Sequence, residues 1–340
     1  MMRVPYDDLY SALRRACEHL GLRGERAALC ARLFAETTRD GVYTHGLNRF
    51  SRFAQMTANG CIQVEAEPIR ISGAAALERW DGRLGPGNVN AWTMMERTIA
   101  LARQYGMGAV ALANTNHWMR GGSYGWQAAE AGLFAICWTN TLANLPAWGT
   151  ASPVLGNNPL VIAVPHQEGG DGHHIVLDMA MSQFSYGALS GYSARGAMLP
   201  VPGGYNGNGE LTRDAAAIEA SKRALPIGYW KGAGLSTALD LVAAMLSGGK
   251  ATHDIPQDPM RESGVSQVFL AIDPAALGSR EEMEGIADGI LQSLKAAPPL
   301  QPGRPVRYPG EQTLHLREEN MRLGVPVDPE AWKLLETLSF

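Results

Sequence analysis

Five short apolar runs, each bounded by turn residues, point this chain to an α/β fold: Ala109–Leu112, Leu133–Trp138, Leu160–Val164, Ile175–Leu177 and Val268–Ile272. Runs this short between Gly, Pro and Asn mark strands of a sheet core. Helical segments separate only some of them, so a purely parallel sheet is not implied and a mixed sheet is expected.

Ahead of the strands the periodicity is helical. Leu9, Leu13, Cys17 and Leu20 recur at helical spacing across Tyr6–Leu20, as do Ala27, Cys30, Leu33 and Phe34 across Arg23–Thr38. A third helix is predicted from near Thr44 through Phe50, Phe53 and Met56 until Asn59-Gly60 stops it. Ile69–Ile71 and Ala76–Trp80 read as strands, and a long helix from about Val89 to Tyr105 is closed by Gly106. The stretch 188–225, richest in Gly, Pro and Asn over 191–208, reads as a surface excursion. Leu235–Leu246 is apolar enough to predict a buried helix, Glu281–Lys295 an amphipathic one, and Pro329–Leu338 a short terminal one.

With 340 residues the chain has room for two sub-domains or one large embellished domain. Hydrophobic residues make up 46% and charged residues only 18%; an average soluble protein carries roughly 25% charged residues. A large core and a buried interface are therefore expected. Lys and Arg number 29 against 33 Asp and Glu, a net charge of −4 that favours neither nucleic acid nor an anionic membrane as partner. No apolar run approaches the roughly 18 residues of a membrane span. Asp7 and Asp8 stand where a signal peptide would be apolar. Cys17, Cys30, Cys61 and Cys137 form no C-x-x-C pair, which argues against a disulfide framework or zinc and for reduced thiols in a cytoplasmic protein.

Two motifs fail on context. Gly106-Met107-Gly108-Ala109-Val110-Ala111 fits a dinucleotide fingerprint, but a helix precedes it and a strand follows, the reverse of what phosphate binding requires. Gly121-Gly122-Ser123-Tyr124-Gly125 fits the hydrolase nucleophile elbow, yet Ser123 reads as the N-cap of a helix Tyr124–Ala131. A serine hydrolase built on Ser123, Asp178 and His253 or His315 is the rival class, with a non-catalytic sugar-acid-binding protein behind it.

Three clusters hold candidate chemistry. In Thr44-His45-Gly46-Leu47-Asn48-Arg49, a continuous helix would put His45 and Arg49 on one face. Imidazole beside guanidinium suits a 2-oxo acid: Arg grips the carboxylate bidentately while His protonates the carbonyl oxygen. The same residues would also make an ordinary surface helix capped by Thr44. A helix N-terminus disfavours a charged His, so an acid role calls for a nearby carboxylate, Asp40 or Asp178. The second cluster, Asn114 to Ser123, follows a strand end and offers Asn116, His117 and Arg120 around Trp118 and Met119. The third is discontinuous: a strand ending at Asp178, Lys231 near a helix start, and the turn Arg307–Glu311. Lys231 there suits a phosphate and Asp178 a ribose hydroxyl. His173 and His174 lack a third ligand at metal spacing, so no metal is expected.

The stretches GVYTHGLNRFSRF (41–53), NTNHWMRGGSYGWQAAEAG (114–132), ICWTN (136–140), GNNPLVIAVP (156–165), LDMAMSQFSYG (177–187) and LPIGYWKGAGLS (225–236) resemble the type 2 malate/L-lactate dehydrogenase oxidoreductases over essentially the whole chain. The resemblance implies a non-Rossmann α/β fold with a seven-stranded, largely antiparallel sheet. It implies a helical region 1–62 packing with 312–340, and a cofactor- and substrate-binding region 63–311. It further implies a homodimer with the active site near the subunit interface, and an NAD(P)-dependent reductase of a 2-oxo sugar acid, NADH preferred. Other 2-hydroxy acids of malate, lactate or ureidoglycolate type, or a cyclic imino acid, are the alternatives. By that resemblance His45 is the proton donor, Thr44 stands where the family usually has serine, and His117 takes the proton-transfer role in some relatives. Arg49, Asn116 and Arg120 are expected to bind substrate. Val176, Leu177, Asp178, Met179, Ala180, Met181 and Ser182, with Trp230, Lys231, Gly310, Glu311 and Gln312, are expected to hold the cofactor. The stretch His166–His174 departs from the pattern and is longer.

Overall fold

The structure, a computed structural model, describes residues 2–167 and 172–338; 168–171, within the divergent His166–His174 stretch, lie outside it. Strand β1 (Met2–Val4) leads into α1 (Tyr6–His19) and α2 (Gly24–Arg39), and a 3-10 turn, Tyr43–His45, precedes α3 (Leu47–Ala58). The predicted third helix is thus broken. Gly46 takes φ −92°, ψ −131°, outside the helical range, and a Cβ there would lie 2.3 Å from Thr38 Oγ1. That hydroxyl instead accepts the Leu47 N–H at 2.9 Å.

Strands β2 (Ile69–Ala74) and β3 (Leu77–Asp81), α4 (Gly87–Tyr105), β4 (Met107–Asn116), α5 (Gly122–Glu130) and β5 (Phe134–Thr139) follow. The left-handed Gly106 ends α4, and α4 presses so closely on β4 that a Cβ on Gly108 would sit 2.4 Å from the Thr98 carbonyl. Helix-then-strand at Gly106–Ala111 confirms that the dinucleotide fingerprint is a decoy. Next come β6 (Leu145–Pro146), β7 (Pro153–Leu155), β8 (Leu160–Val164), β9 (Ile175–Met179), α6 (Tyr186–Ala194), β10 (Gly204–Tyr205), β11 (Leu211–Thr212), α7 (Ala215–Ser221), α8 (Trp230–Ser247) and β12 (Ser263–Ile272). Helices α9 (Arg280–Ala296) and α10 (Glu311–Leu323), β13 (Val325–Val327) and α11 (Pro329–Leu338) complete the described chain.

The main sheet has seven strands in the order β2-β3-β4-β12-β5-β8-β9. Only β3–β4 is parallel; every other neighbouring pair is antiparallel. All five apolar runs fall on these strands, Leu133 alone preceding its strand, in the mixed, largely antiparallel sheet expected. One core joins α1, α2 and α3 to Val325, Val327 and Leu335, and β1 pairs with β13. A second lies between the sheet and α4/α5. A third, on the opposite face, takes in Leu189, Leu199, Ile218 and Ala224 with Trp138 and Leu239.

That third core corrects two expectations. The stretch 188–225 is not a mere surface excursion: Leu189, Leu199 and Ile218 are fully buried, and its helices roof the cavity described below. Helix α8 is not buried either. It packs through Ala233, Ser236, Leu239 and Ala243, while Leu241 and Met245 remain 56% and 73% exposed. Likewise α9 leaves its apolar Ile286 and Ile290 exposed. No helix is long and apolar enough to cross a membrane among the described residues.

Candidate active site

A cavity of about 670 Å³ opens between the His45 turn, α3, the loops at 141–144, 153–157 and 257–262, and the roof formed by α6 and α7. Its volume suits a small metabolite. Thr44, His45, Arg49 and His117 all line it. His45 therefore meets Arg49 across the Gly46 break, not along one helical face as the sequence suggested.

Thr44 Oγ1 lies 3.0 Å from His45 Nδ1. The rings of His45 and His117 stack, centroids 5.8 Å apart and 17° from parallel. Burial, then the charges of Arg49 and Arg120, push His45 down to about 4. His117 is pushed well below the usual histidine range by burial, Arg49, His45 and Arg52. Both are therefore neutral at neutral pH.

Arg49 makes no ion pair and no side-chain hydrogen bond among the described residues; burial and Arg52, opposed by Glu262, push it down to about 10. A recessed guanidinium without a partner is a ready anion site. Its neighbour Arg52 is engaged, donating to the Pro259 carbonyl and to Glu262 Oε2 at 3.2 Å, while Glu262 Oε1 accepts the Leu142 N–H. Sequence reasoning missed Arg52, Glu262, Asn144, Tyr186 and Lys222 on the cavity wall. The Asn144 Oδ1 is buried without a partner among the described residues; no local motif announces such groups, because loops far apart in the chain bring them together.

Five residues singled out in the sequence sit elsewhere. Arg120, only 5% exposed, ion-pairs with Asp40 at 2.7 Å and does not line this cavity; its charge reaches His45 only as a field. Asp40 also binds Arg39 and Arg317, so it is not the carboxylate partner expected for His45. Asn116 donates to the carbonyls of Cys61, Leu84 and Gly85, locking loops together. Trp118, 1% exposed, packs in the core and forms no cavity wall. Asp178, the other expected partner of His45, accepts the Gly122 N–H at 2.8 Å and caps α5; burial pushes its carboxyl up, against Arg120 and that N–H.

Ser123 is not the expected N-cap: α5 begins at Gly122, with Gly121 as its cap residue. Nor does any hydrogen bond join Ser123 to His253 or His315 among the described residues, and His253 faces Asp254 on the surface. Ser123→Ala should leave the protein's turnover within about twofold of wild type, a change too small to signal lost transition-state contact. Loss of an ester-hydrolysis activity in that variant would revive the hydrolase.

The segments expected to hold a cofactor converge on β9, the sheet's edge strand. The Pro309 carbonyl accepts the Val176 N–H at 3.0 Å, and left-handed Gly310 (φ +98°) comes so close that a Cβ would lie 3.1 Å from Val176 N. At the other end Ile227 N–H donates to the Met181 carbonyl and Gln183 N–H to Leu225, which brings Trp230 (62% exposed) and Lys231 alongside. Between these clamps, Leu177–Ala180 make no turn or loop hydrogen bond on the open edge among the described residues, and the Ser182 hydroxyl is buried without a partner. An open strand edge with an orphaned hydroxyl and an exposed indole fits an elongated polar ligand with flat rings. Glu311 is paired with Lys295, and Gln312 accepts from Arg307. No cluster of three His, Cys, Asp or Glu is placed to hold a metal among the described residues.

The sequence profile of the malate/L-lactate dehydrogenase family matches residues 4–336. A 2,3-diketo-L-gulonate reductase of Citrobacter koseri is 43% identical over 337 residues, covering 99% of this chain and all of its own. The Escherichia coli K12 protein of the same name is 42% identical over the same coverage. Sulfolactate dehydrogenase from Methanocaldococcus jannaschii superposes with a TM-score of 0.90 at 25% identity, covering 99% of this chain and 96% of its own. Delta1-piperideine-2-carboxylate reductase from Pseudomonas syringae pvar. tomato does so at 0.87 and 26%, covering 99% and 100%. The chain belongs to the malate/L-lactate dehydrogenase family of oxidoreductases.

Proposed function

We propose that this protein reduces a 2-oxo sugar acid, 2,3-diketo-L-gulonate to 3-dehydro-L-gulonate, with NADH or NADPH as reductant and NADH preferred. The observation that carries the reading is the unpartnered, recessed Arg49 beside the stacked His45 and His117 in one cavity. Relatives 42–43% identical over nearly the whole chain carry the name 2,3-diketo-L-gulonate reductase, which favours the sugar acid over malate or lactate.

Arg49 binds the substrate carboxylate bidentately and so orients the neighbouring carbonyl toward the histidines. Burial and the arginine field together hold His45 neutral; the bound carboxylate offsets the field, so His45 takes up a proton as substrate binds and then gives it to the carbonyl oxygen. Thr44 Oγ1 steadies the ring from Nδ1. Asn144 of the 141–144 loop and Tyr186 of α6 line the cavity and would meet hydroxyls of the substrate tail. Residues 176–182, Trp230, Lys231 and 310–312 would hold the nicotinamide cofactor, whose reduced ring supplies the hydride. A homodimer would cover the exposed apolar row of α8.

The test is absorbance-monitored NADH oxidation with a panel of 2-oxo acids. The kcat/KM for 2,3-diketo-L-gulonate should exceed that for pyruvate and oxaloacetate; losing one well-placed hydrogen bond to a substrate hydroxyl costs about 1–3 kcal/mol. Equal efficiency with pyruvate would remove the sugar-acid assignment, and no NADH oxidation with any 2-oxo acid would remove the reductase. Arg49→Lys should chiefly raise KM, by roughly tenfold or more, because an ammonium cannot reproduce the two-pronged grip.

A further inference from the structure

We infer that His117 is a fixed, uncharged hydrogen-bond donor to the substrate carbonyl oxygen, held in its Nε2–H form by the Met119 amide, and that His45 alone transfers the proton. The inference deepens the reductase reading and rests on it for the identity of the oxygen.

The Met119 N–H donates to His117 Nδ1 at 3.0 Å. A backbone amide can only donate, so Nδ1 must hold a lone pair and the ring proton sits on Nε2. The amide is itself fixed. Met119 adopts φ +64° with its side chain buried against the N-terminal core, and the preceding Trp118 carbonyl accepts from Tyr124. Protonating His117 would set N–H against N–H at this bond.

The charges around it point the same way. His45 stacks on its face, Arg49 and Arg52 bear on it from α3, and Glu262 is spent on Arg52 and the Leu142 amide. Glu219 of α7 and Lys222, just past its end, stand on the cavity's roof side. No carboxylate bonds to the ring among the described residues.

His45 is built differently. Its Nδ1 faces the Thr44 hydroxyl, which donates to a lone pair or accepts from an N–H, so both protonation states are satisfied. A reduced nicotinamide held by residues 176–182 would supply the hydride for the new C–H bond and would leave in its oxidised form; the carbonyl π pair moves onto the oxygen, which takes its proton from His45. His117 keeps its Nε2 proton throughout and stabilises negative charge gathering on the oxygen, as an oxyanion-hole donor does.

Imidazole nitrogen NMR of the protein alone, assigned with His45→Asn and His117→Gln, reads the tautomer without turnover. His117 should show a protonated Nε2 and a bare Nδ1 from pH 8 down to pH 5. In steady-state reduction, His117→Ala should cost about 10²–10³-fold in kcat, the range for one oxyanion donor. His117→Gln, which retains an N–H donor, should recover at least tenfold of that, and both variants should keep the wild-type pH profile of kcat. An Nδ1–H tautomer, a His117 that charges above pH 5, or a pH dependence lost in His117→Gln but kept in His45→Asn would each overturn the inference. Absence of NADH oxidation by the wild type would instead count against the reductase reading, leaving the NMR result to decide the tautomer.

Discussion

His45→Asn is expected to lower kcat by roughly 10²- to 10⁴-fold, the loss typical of a missing general acid, while cofactor affinity scarcely changes. The residues proposed for the cofactor run along β9, whereas His45 stands on the turn before α3. The pH dependence gives the sharper check. In the free protein His45 lies at about 4, lowered by burial and then by Arg49 and Arg120. Reduction needs the charged ring, so kcat/KM should fall as pH rises through the range above that value. In the complex the substrate carboxylate cancels part of the arginine field, so the descending limb of kcat should lie at higher pH than that of kcat/KM. In His45→Asn the limb should vanish from both profiles. Near-normal kcat in that variant, with collapse in the His117 variants, would reverse the two roles.

Asp40→Asn should destabilise the fold by about 3–5 kcal/mol, the cost of stranding buried cations. Asp40 is 1% exposed at its side chain and receives Arg120 at 2.7 Å, Arg39 at 2.8 Å and Arg317 at 2.9 Å. It thereby ties the end of α2 to the loop before α5 and to α10. Burial alone would raise its carboxyl; Arg120, Arg317 and Arg39 overcome that and hold it well below the usual carboxylate range. A lowered acid contributes stability above its unfolded value of about 3.9 and loses it as pH falls below. The contribution is therefore intact from pH 5 to 8 and erodes only in stronger acid. Urea unfolding at pH 7 measures it directly, and a loss under about 1 kcal/mol would show that the arginines find other partners. If Asp40 were instead the partner of His45, the variant would lose kcat and keep its stability.

The strands were legible in the residues because a run such as Leu160–Val164 or Val268–Ile272 can satisfy its side chains only inside a sheet, whichever strands lie beside it. The failed dinucleotide motif was legible too, since Gly106 ends a helix by local backbone geometry alone. His45, Arg49 and His117 were named from residue type, and the fold brings all three to one cavity. What the residues could not disclose is which partner each group takes. Arg120 and Asn116 have the chemistry of substrate ligands, but Asp40, 80 residues away, claims the first and the carbonyls of Cys61, Leu84 and Gly85 claim the second. The helix predicted through Thr44 breaks because Gly46 lies against Thr38 of a neighbouring helix. The apolar pattern of α8 says how much surface seeks cover, not whether this chain provides it. Local backbone preference and the need to bury apolar runs act over a few residues and are written in sequence order; hydrogen-bond and charge pairing act across space, so only the tertiary structure decided them.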